Sequence, residues 1–407
     1  MTASSLWQGA RPRSPDFPGP LSASADVVVV GGGLLGACSA YWLSRRGRSV
    51  LVLERDDVAA GATGRNAGFV VPTTALPYAE AVRAYGPAVA RAVRRLAVEG
   101  TRLLTRIVED EGICCAFRAR DCVTLALTAD QVRRGTEEVD LSLADGFETA
   151  WLDRGDLAPF IATPLDERIA GGTVVSGAST DSVALADGVM SAARRLGAVV
   201  HTGVRVESVR AASPGVHLAT SLGPVRADAA VVAVNAWHGE LVPSLKHLIK
   251  AVQGQAIATS PMPALFRAGI AAPTPEGEAY WQQTPSGSVI LGGCRTVTAA
   301  PADPLGQAPQ PAVHRALLDV LPDLFPELKA VDSTHSWAGA MAFTPDRLPI
   351  ADRVDESVWA VGGFNGHGMP YGAIVADLVA EWVCAGIAGP PLSPLSLGRP
   401  TLESATW

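Results

Sequence analysis

The sequence has few charged residues, few aromatic residues and few cysteines for its length. Of 407 residues, 18% are charged, 6% are aromatic and six are cysteines. The cysteines follow neither a Cys-x-x-Cys spacing nor the even framework of a small secreted domain, which argues against a disulfide-stabilised scaffold. We expect buried thiols in a reducing cytosol, for Cys38, Cys114, Cys115, Cys122, Cys294 and Cys384.

The sequence also lacks long apolar runs. Residues 1–24 contain no apolar core of the kind found in signal peptides, and no stretch approaches the roughly 20 apolar residues that cross a bilayer. The net charge of -7 offers no electrostatic gain with nucleic acid or an anionic membrane. These features predict a cytoplasmic protein whose partner is a small molecule, without a nucleic-acid or membrane partner. They leave its oligomeric state open.

Motifs for metal binding and for hydrolysis are missing as well. Asp181, Asp187, Glu207 and the scattered histidines show no metal-ligand spacing, so we predict no metal. No serine stands in a Gly-x-Ser-x-Gly turn between a strand and a helix, which argues against a hydrolase of that type. No repeat of 20 to 50 residues is visible, which excludes solenoids and propellers.

What is present is an alternation of strand and helix patterns. A β-branched run from Asp26 to Val30 is typical of a strand buried on both faces of a parallel sheet. Apolar residues at helical spacing follow from Leu34, and Arg45-Arg46-Gly47 predicts the end of that helix. Residues 49–53 predict a second parallel strand.

Later segments continue this pattern. We predict one helix over 79–111 with an interruption at Gly100, and another over 187–196 that leads into short strands up to residue 234. Residues 251–296 alternate as in an antiparallel sheet, and residues 358–382 predict a strand, a glycine-rich turn and a helix. Residues 1–24 predict an irregular arm.

Three glycines stand where the first predicted strand meets its helix. Gly31 would make a tight turn, Gly33 would admit a pyrophosphate, and Gly36 would let the helix pack closely on the strand. The helix that begins at Leu34 and Leu35 would direct free N–H groups at the diphosphate. Glu54, followed by Arg55, ends the second strand and can accept hydrogen bonds from a ribose. This pattern predicts a bound dinucleotide but does not separate NAD from FAD.

The segment after Glu54 resembles a loop of the D-amino-acid oxidase superfamily, which includes glycine and sarcosine oxidases. The sequence Gly-Ala-Thr-Gly-Arg-Asn-Ala-Gly over 61–68 is similar to that family's Gly-Ala-Ser-Gly-Arg-Asn-x-Gly loop. The resemblance implies FAD and places this loop along the FAD diphosphate and isoalloxazine. The residues concerned are Thr63, Arg65, Asn66, Ala67 and Gly68.

A second stretch, residues 361–369, resembles the family's Gly-x-x-Gly-His-Gly segment before a helix. The resemblance implies that Gly366, His367, Gly368 and Met369 pack at the pyrimidine end of the flavin, where a helix N-terminus stabilises negative charge. It also implies that the Val204 backbone contacts adenine. Residues 232–237, which include Asn235, would lie near the diphosphate.

The resemblance implies an α/β protein, with a Rossmann-like FAD-binding domain and an α+β substrate domain built on a mixed, largely antiparallel sheet. The cofactor domain is predicted to be discontinuous, over 25–78, 165–245 and 338–395. The substrate domain is predicted over 79–164 and 246–337, and residues 1–24 precede both.

Three positions depart from the amino-acid and sarcosine oxidases. Met341 stands where an arginine grips the substrate carboxylate, and Pro370 stands where sarcosine oxidases carry a lysine. Gly339 replaces the cysteine that links their flavin covalently, so we expect non-covalent FAD. The motifs look closer to the gamma-glutamylputrescine oxidoreductase branch, whose substrates are amines with a remote polar group.

On the substrate side, we expect His367, Trp337, Tyr280 and Met341 near the reacting carbon, and Trp281, Gln283, Met369 and Tyr371 around them. The predicted reaction is oxidation of a C–N bond in an amine or modified amino acid, by hydride transfer to flavin N5. The products would be an imine and, with molecular oxygen as acceptor, hydrogen peroxide. One alternative is an FAD-dependent dehydrogenase of a hydroxy acid or alcohol, with His367 as base. Another is a non-catalytic subunit that retains FAD.

Overall fold

The computed structural model describes residues 4–9, 19–299, 303–328, 330–405 and 407. The helices are α1 (Leu6–Gly9), α2 (Leu34–Arg45), α3 (Tyr78–Tyr85), α4 (Pro87–Asp110), α5 (Ala129–Ala144), α6 (Ser182–Arg195), α7 (His238–Leu241), α8 (Pro311–Leu324), α9 (Gly368–Ala385) and α10 (Pro400–Ser404). The strands are β1 (Ser24–Val30), β2 (Val50–Leu53), β3 (Phe69–Val70), β4 (Arg118–Ala126), β5 (Ala150–Asp153), β6 (Gly171–Ser179), β7 (Val199–His201), β8 (Val206–Ala211), β9 (Val216–Thr220), β10 (Gly223–Val232), β11 (Lys250–Thr259), β12 (Gly269–Thr274), β13 (Gly277–Gln283), β14 (Val289–Gly293), β15 (Ser333–Phe343), β16 (Ile350–Asp355) and β17 (Val358–Gly362).

The first sheet is the predicted dinucleotide-binding sheet. Its order is β16-β17-β10-β1-β2-β7, with β8 and β9 attached through β10. β1 runs parallel to both β2 and β10, and residues 27–30 are fully buried because helices or loops cover both faces. Both predicted parallel strands, β1 and β2, are therefore confirmed.

The second sheet has the order β15-β11-β14-β13-β12-β4-β6-β3, with β5 beside β6. Its pairs are antiparallel except for β12 with β4, as expected for a largely antiparallel sheet. Two sheets with associated helices confirm the predicted mixed α/β class. β3 and β6 lie in this sheet although their residues fall inside the predicted cofactor segments 25–78 and 165–245, and β15 crosses the predicted boundary at 338. The division into domains stays a prediction, and sheet membership would move these three boundaries.

The helical segment predicted over 79–111 is interrupted at Gly86 rather than at Gly100. Gly86 adopts a φ of +79° between α3 and α4, a conformation that glycine reaches without steric cost. Gly100 lies inside α4, where a β-carbon would come within 1.9 Å of the Pro370 carbonyl oxygen. The glycine at position 100 therefore permits close packing of α4 on α9, and α4 joins the same apolar core as α2 and α9.

Residues 4–9 correct the prediction of an irregular arm. Residues 6–9 form α1, which packs beneath the glycine-rich loop, and Trp7 and the preceding Ser5 are buried, whereas residues 1–3 and 10–18 of the predicted arm lie outside the described ranges. The Ser5 hydroxyl donates to the Gly64 carbonyl at 2.5 Å, and the Gln8 side chain donates to the Ala60 carbonyl at 3.2 Å. An isolated four-residue helix has no periodic signature, so the sequence pattern could not indicate it.

The cysteines are all free, but their burial is uneven. Cys38, Cys115 and Cys294 are buried, whereas Cys114 is exposed, which corrects the expectation that all are buried. Of the helices that the structure describes, none alone is both long enough and apolar enough to span a bilayer. α9 and the segment Pro390–Ser404 reach that length and composition only together, across a bend of 114°.

A buried ion pair connects the C-terminal segment to the turn after β15. Arg399 donates from Nε and Nη2 to the two carboxylate oxygens of Asp346, at 2.7 and 2.9 Å. Burial alone would raise the pKa of Asp346, but the hydrogen bonds and charge of Arg399 outweigh this effect and lower that pKa. The Tyr85 hydroxyl donates to the Asp346 carbonyl at 2.7 Å, so the pair also holds α3.

Replacing Arg399 with alanine should destabilise the fold, because it leaves the Asp346 carboxylate buried without its charge partner. We expect a loss of about 3–5 kcal/mol in the free energy of unfolding, measured by urea denaturation. Arg133→Ala is the control, since Arg133 is exposed and pairs with Asp130 on the helix surface. That change should cost less than about 1 kcal/mol. Equal losses in the two variants would contradict the role given to Arg399.

Candidate active site

A cavity of about 260 Å³ lies where the carboxyl ends of the first sheet's parallel strands meet the N-terminus of α2. Such an edge is the usual ligand site of a parallel sheet, because strand ends and helix N-termini converge there. Many predicted cofactor residues line it, namely Gly31, Gly33, Leu34, Leu35, Glu54, Arg55, Thr63, Arg65, Asn66, Val204, Asn235, Gly339, Gly366, Gly368 and Met369.

The glycines form a cradle at this edge. Gly31 has a φ of +109°, and a β-carbon there would meet the Ala233 carbonyl oxygen at 2.7 Å. A β-carbon on Gly36 would come within 1.9 Å of the Gly31 carbonyl oxygen, so Gly36 packs helix on strand and lines neither cavity described here. α2 begins at Gly33 without a side-chain cap and without an acidic residue in its first turn. This uncapped helix end suits an anion.

Glu54 lies beside the cradle. Its carboxylate accepts hydrogen bonds from the Gly32 N–H at 2.5 Å and the Asp56 N–H at 2.8 Å. Burial raises the pKa of Glu54, and these two backbone bonds act in the opposite direction. Arg55 stacks over the Trp237 ring at 5.0 Å, and both residues line the same cavity. Trp237 belongs to the stretch 232–237 that the sequence analysis expected near the diphosphate, whereas Asp56 is a lining residue that sequence reasoning did not single out.

The glycine-rich loop, residues 61–68, is held by hydrogen bonds from two sides. The Trp337 indole donates to the Arg65 carbonyl at 2.9 Å, and the Trp7 indole donates to the Asn66 carbonyl at 2.8 Å. Arg65 itself donates to the Gln307 side chain at 2.7 Å, and burial lowers its pKa. Trp337 borders neither cavity, so it is placed as a support of the loop rather than at the reacting carbon.

A second cavity, of about 530 Å³, adjoins the first. Residues from the loop, the second sheet and the turn before α9 line both, namely Asn66, Tyr280, Met341, Asn365, Gly366 and Met369. Ala67 and His367 line the second cavity only. Gly68 lines neither, since a β-carbon there would meet the Thr180 carbonyl oxygen at 2.3 Å. Its place along a cofactor stays a prediction, and close backbone packing occupies the side on which a β-carbon would stand.

Three of the four residues expected near the reacting carbon meet at this junction. Tyr280 and Met341 line both cavities, and His367 lines the second. The His367 Nδ1 atom lies 3.2 Å from the Asn365 carbonyl oxygen, and burial lowers the pKa of the imidazole. His367 is thus neutral at neutral pH. Burial raises the pKa of Tyr280, so its phenol stays protonated.

The remaining substrate-side candidates, Trp281, Gln283 and Tyr371, line neither cavity. Trp281 is fully buried in the second-sheet core, and Tyr371, on α9, is fully buried in the core that α9 shares with α2 and α4. The Gln283 side chain bonds to the backbone around Met262 and Leu265. Cys294 is buried in the second-sheet core and lines neither cavity. Within the described ranges, no group of three or more histidine, cysteine, aspartate or glutamate side chains could hold a metal ion.

The residues at the first cavity fit a flavin dinucleotide. The glycine cradle and the uncapped α2 suit the diphosphate, and the Glu54 carboxylate suits a ribose. The cavity continues past the glycine-rich loop to the N-terminus of α9 at Gly368, where an isoalloxazine ring would meet the positive end of a helix. A nicotinamide dinucleotide would share only the first part of this arrangement.

The family profile described as FAD dependent oxidoreductase (DAO) matches residues 26–382, which is most of the chain. The chain belongs to this family. Gamma-glutamylputrescine oxidoreductase from Escherichia coli (strain K12) is 27% identical over 382 residues, 88% of this chain and 84% of that protein. Glycine oxidase from Geobacillus kaustophilus (strain HTA426) is 24% identical over 387 residues, 92% of this chain and 97% of that one.

The crystal structure of glycine oxidase from Geobacillus kaustophilus superimposes on this DAO-family chain with a TM-score of 0.80. The sequence identity is 21%, and the match covers 93% of this chain and 99% of that one. At that identity the likeness establishes the fold. Together with the family match, it makes this chain an FAD-dependent oxidoreductase.

Replacing Gly33 with alanine should weaken FAD binding without unfolding the protein. Gly33 lines the first cavity, and a β-carbon there would meet only the Thr63 hydroxyl, at 3.1 Å. We expect at least an approximately tenfold increase in the Kd for FAD, measured by fluorescence quenching during reconstitution, because the extra carbon keeps the diphosphate from the backbone. Gly155→Ala, where no atom lies within 4 Å of the new carbon, is the control. Unchanged FAD affinity in Gly33→Ala would count against the cradle.

Proposed function

We propose that this protein uses non-covalently bound FAD to oxidise a C–N bond in a small amine or modified amino acid. The observation that carries the proposal is the junction of the two cavities. The first suits FAD, and its reactive end opens at Tyr280 and Met341 into a second space large enough for a substrate. The names of the relatives support the same reaction type, since one acts on gamma-glutamylputrescine and another on glycine.

The residues at the junction suit hydride transfer from a neutral amine. When bound, FAD would supply the hydride acceptor at N5, and a neutral amine that gives up a hydride would leave as a protonated imine, which water hydrolyses. Tyr280, Met341 and Met369 form an apolar boundary that excludes water from the reacting carbon. The N-terminus of α9 favours negative charge at the flavin pyrimidine. Reoxidation by molecular oxygen would give hydrogen peroxide.

Non-covalent binding is supported by the composition of the first cavity. Among its lining residues in the described part of the chain there is no cysteine or histidine to attach to the flavin, and Gly339 occupies the position where a linking cysteine would stand. Acid precipitation should therefore release the yellow flavin into the supernatant. Flavin that stays with the protein pellet would contradict this part of the proposal.

Anaerobic titration of the flavin-loaded protein tests the reaction class. The panel comprises secondary amines, polyamine conjugates, D- and L-amino acids and hydroxy acids, and the signal is loss of flavin absorbance. We expect bleaching by at least one amine or modified amino acid and none by hydroxy acids. Air is admitted afterwards, and rapid return of the absorbance with hydrogen peroxide identifies an oxidase. Bound flavin that no amine bleaches would overturn the proposal.

Oxidation of an alcohol is the second candidate, and the position of His367 favours it. If the His367 Nδ1–H donates to the Asn365 carbonyl, its neutral imidazole keeps Nε2 free to accept a hydroxyl proton at the second cavity. His367→Asn should lower amine oxidation only modestly, because a neutral amine needs no base, whereas it should abolish alcohol oxidation. Rates of anaerobic flavin reduction at several pH values measure both. Loss of all amine oxidation would show that His367 acts as a base.

A further inference from the structure

Arg94 is a buried cation at the second cavity. It lies on α4, only 3% of its surface is exposed, and it lines the cavity on the side of α3 and α5. The apolar residues Val93, Leu96 and Ala97 surround it along the helix and belong to the core. A guanidinium in such a position is rare unless a partner compensates its charge.

Arg94 has no such partner within the described parts of the chain. Its Nε atom is buried without a hydrogen bond, and its guanidinium takes part in none of the ion pairs between described residues. Its guanidinium lies over the ring of Phe147, with Cζ 5.8 Å from the ring centroid. Burial lowers the pKa of Arg94. The positive charge of Arg94 also contributes to the lowered pKa of His367, which lines the same cavity.

Two glutamates that line the same cavity as Arg94 are already engaged elsewhere. Glu138, whose charge acts on Arg94, accepts hydrogen bonds from the Tyr78 and Ala79 N–H groups at 2.7 and 2.8 Å, at the start of α3. Glu137 pairs with Arg83. An arginine held here without a partner costs free energy, and an apolar side chain of similar length would cost less. The cost is recovered if a ligand supplies the missing anion.

We propose that Arg94 binds a carboxylate of the substrate, so that the substrate is an amine with a carboxylate remote from the oxidised C–N bond. The identity of the oxidised bond in this inference rests on the proposed function. The anion site at Arg94 does not depend on it. A planar guanidinium accommodates a carboxylate through two parallel hydrogen bonds. The anchor differs from the arginine position that Met341 occupies, because it lies on a helix at the other side of the cavity.

A carboxylate suits the cavity better than a phosphate. Four glutamates and three further arginines also line the space, namely Glu80, Glu137, Glu138, Glu278, Arg83, Arg134 and Arg295. Glu137 and Glu80 pair with Arg83 and Arg134, so the lining has no large excess of positive charge, and a single negative charge matches the one buried guanidinium of Arg94 better than a dianion does. A remote carboxylate also accounts for the size of the cavity, about 530 Å³, which exceeds the need of a simple alkylamine.

The test uses matched ligand pairs on the FAD-loaded protein. The ω-amino carboxylates with two to five methylene groups are compared with alkylamines of the same chain length, in anaerobic reduction and in perturbation of the flavin spectrum. Straight-chain dicarboxylates serve as non-oxidisable probes, and phosphoethanolamine tests the phosphate. We expect at least one carboxylate to bind about tenfold to hundredfold more tightly than its matched amine.

Four variants test whether the preference for carboxylates over matched amines depends on Arg94. Arg94→Gln should abolish it, and Arg94→Lys should restore part of it. Arg95→Gln, an exposed neighbour on the same helix, should leave it unchanged. Arg94→Met should leave the melting temperature of the ligand-free protein unchanged or higher, while the carboxylates no longer raise it. A marked loss of melting temperature in Arg94→Met would instead show a structural role and overturn the proposal.

The outcomes separate this inference from the proposed function. If carboxylates bind through Arg94 but no amine bleaches the flavin, the reaction class is wrong and the anion site stands. If amines bleach the flavin but carboxylates bind no better than matched amines, or keep their advantage in Arg94→Gln, the anion site is wrong. Tighter binding of phosphoethanolamine than of every carboxylate would also overturn it.

Discussion

The site depends on the close approach of α2 to the first strand of the parallel sheet. The contact is possible because Gly36 presents no side chain, since a β-carbon would lie 1.9 Å from the Gly31 carbonyl oxygen. This approach sets the uncapped start of α2 at the carboxyl end of β1, beside Glu54 at the end of β2. The electrostatic character of the first cavity follows from this one packing constraint.

A second set of contacts connects this cavity to the substrate side. The glycine-rich loop lies between α1 and β15, and the indoles of Trp7 and Trp337 hold its carbonyl groups. Asn66 in that loop faces both cavities, as do Tyr280 and Met341 from the second sheet. Side chains from distant parts of the sequence are thus brought to one boundary, with the neutral His367 beside it.

Much of the cofactor side could be predicted from the sequence, because its signals are local. A β-branched run, three glycines and an acid at the end of the next strand specify a strand, a turn, a helix and a strand within thirty residues. The resemblance at 61–68 and 361–369 then separated FAD from NAD. Gly86 and Gly100 could not be told apart by pattern, since which glycine breaks the helix depends on the packing of α9 against α4.

The substrate side could not be predicted from the sequence in the same way. Trp337 looked like a cavity residue, but its partner is the backbone of the loop. Arg94 occupies an apolar helix face, and only the tertiary structure shows that this face borders a cavity and offers the guanidinium no partner. In the sequence, the one available signal of this site was a charged residue, Arg94, within the apolar stripe of the helix that became α4.

The most direct test of this account is a crystal structure of the protein with FAD bound. The diphosphate should lie against the N-terminus of α2, and the isoalloxazine ring should lie at the boundary formed by Tyr280, Met341 and Met369, with one face toward the second cavity. A flavin ring bound away from that boundary, with the second cavity closed off from it, would contradict the account.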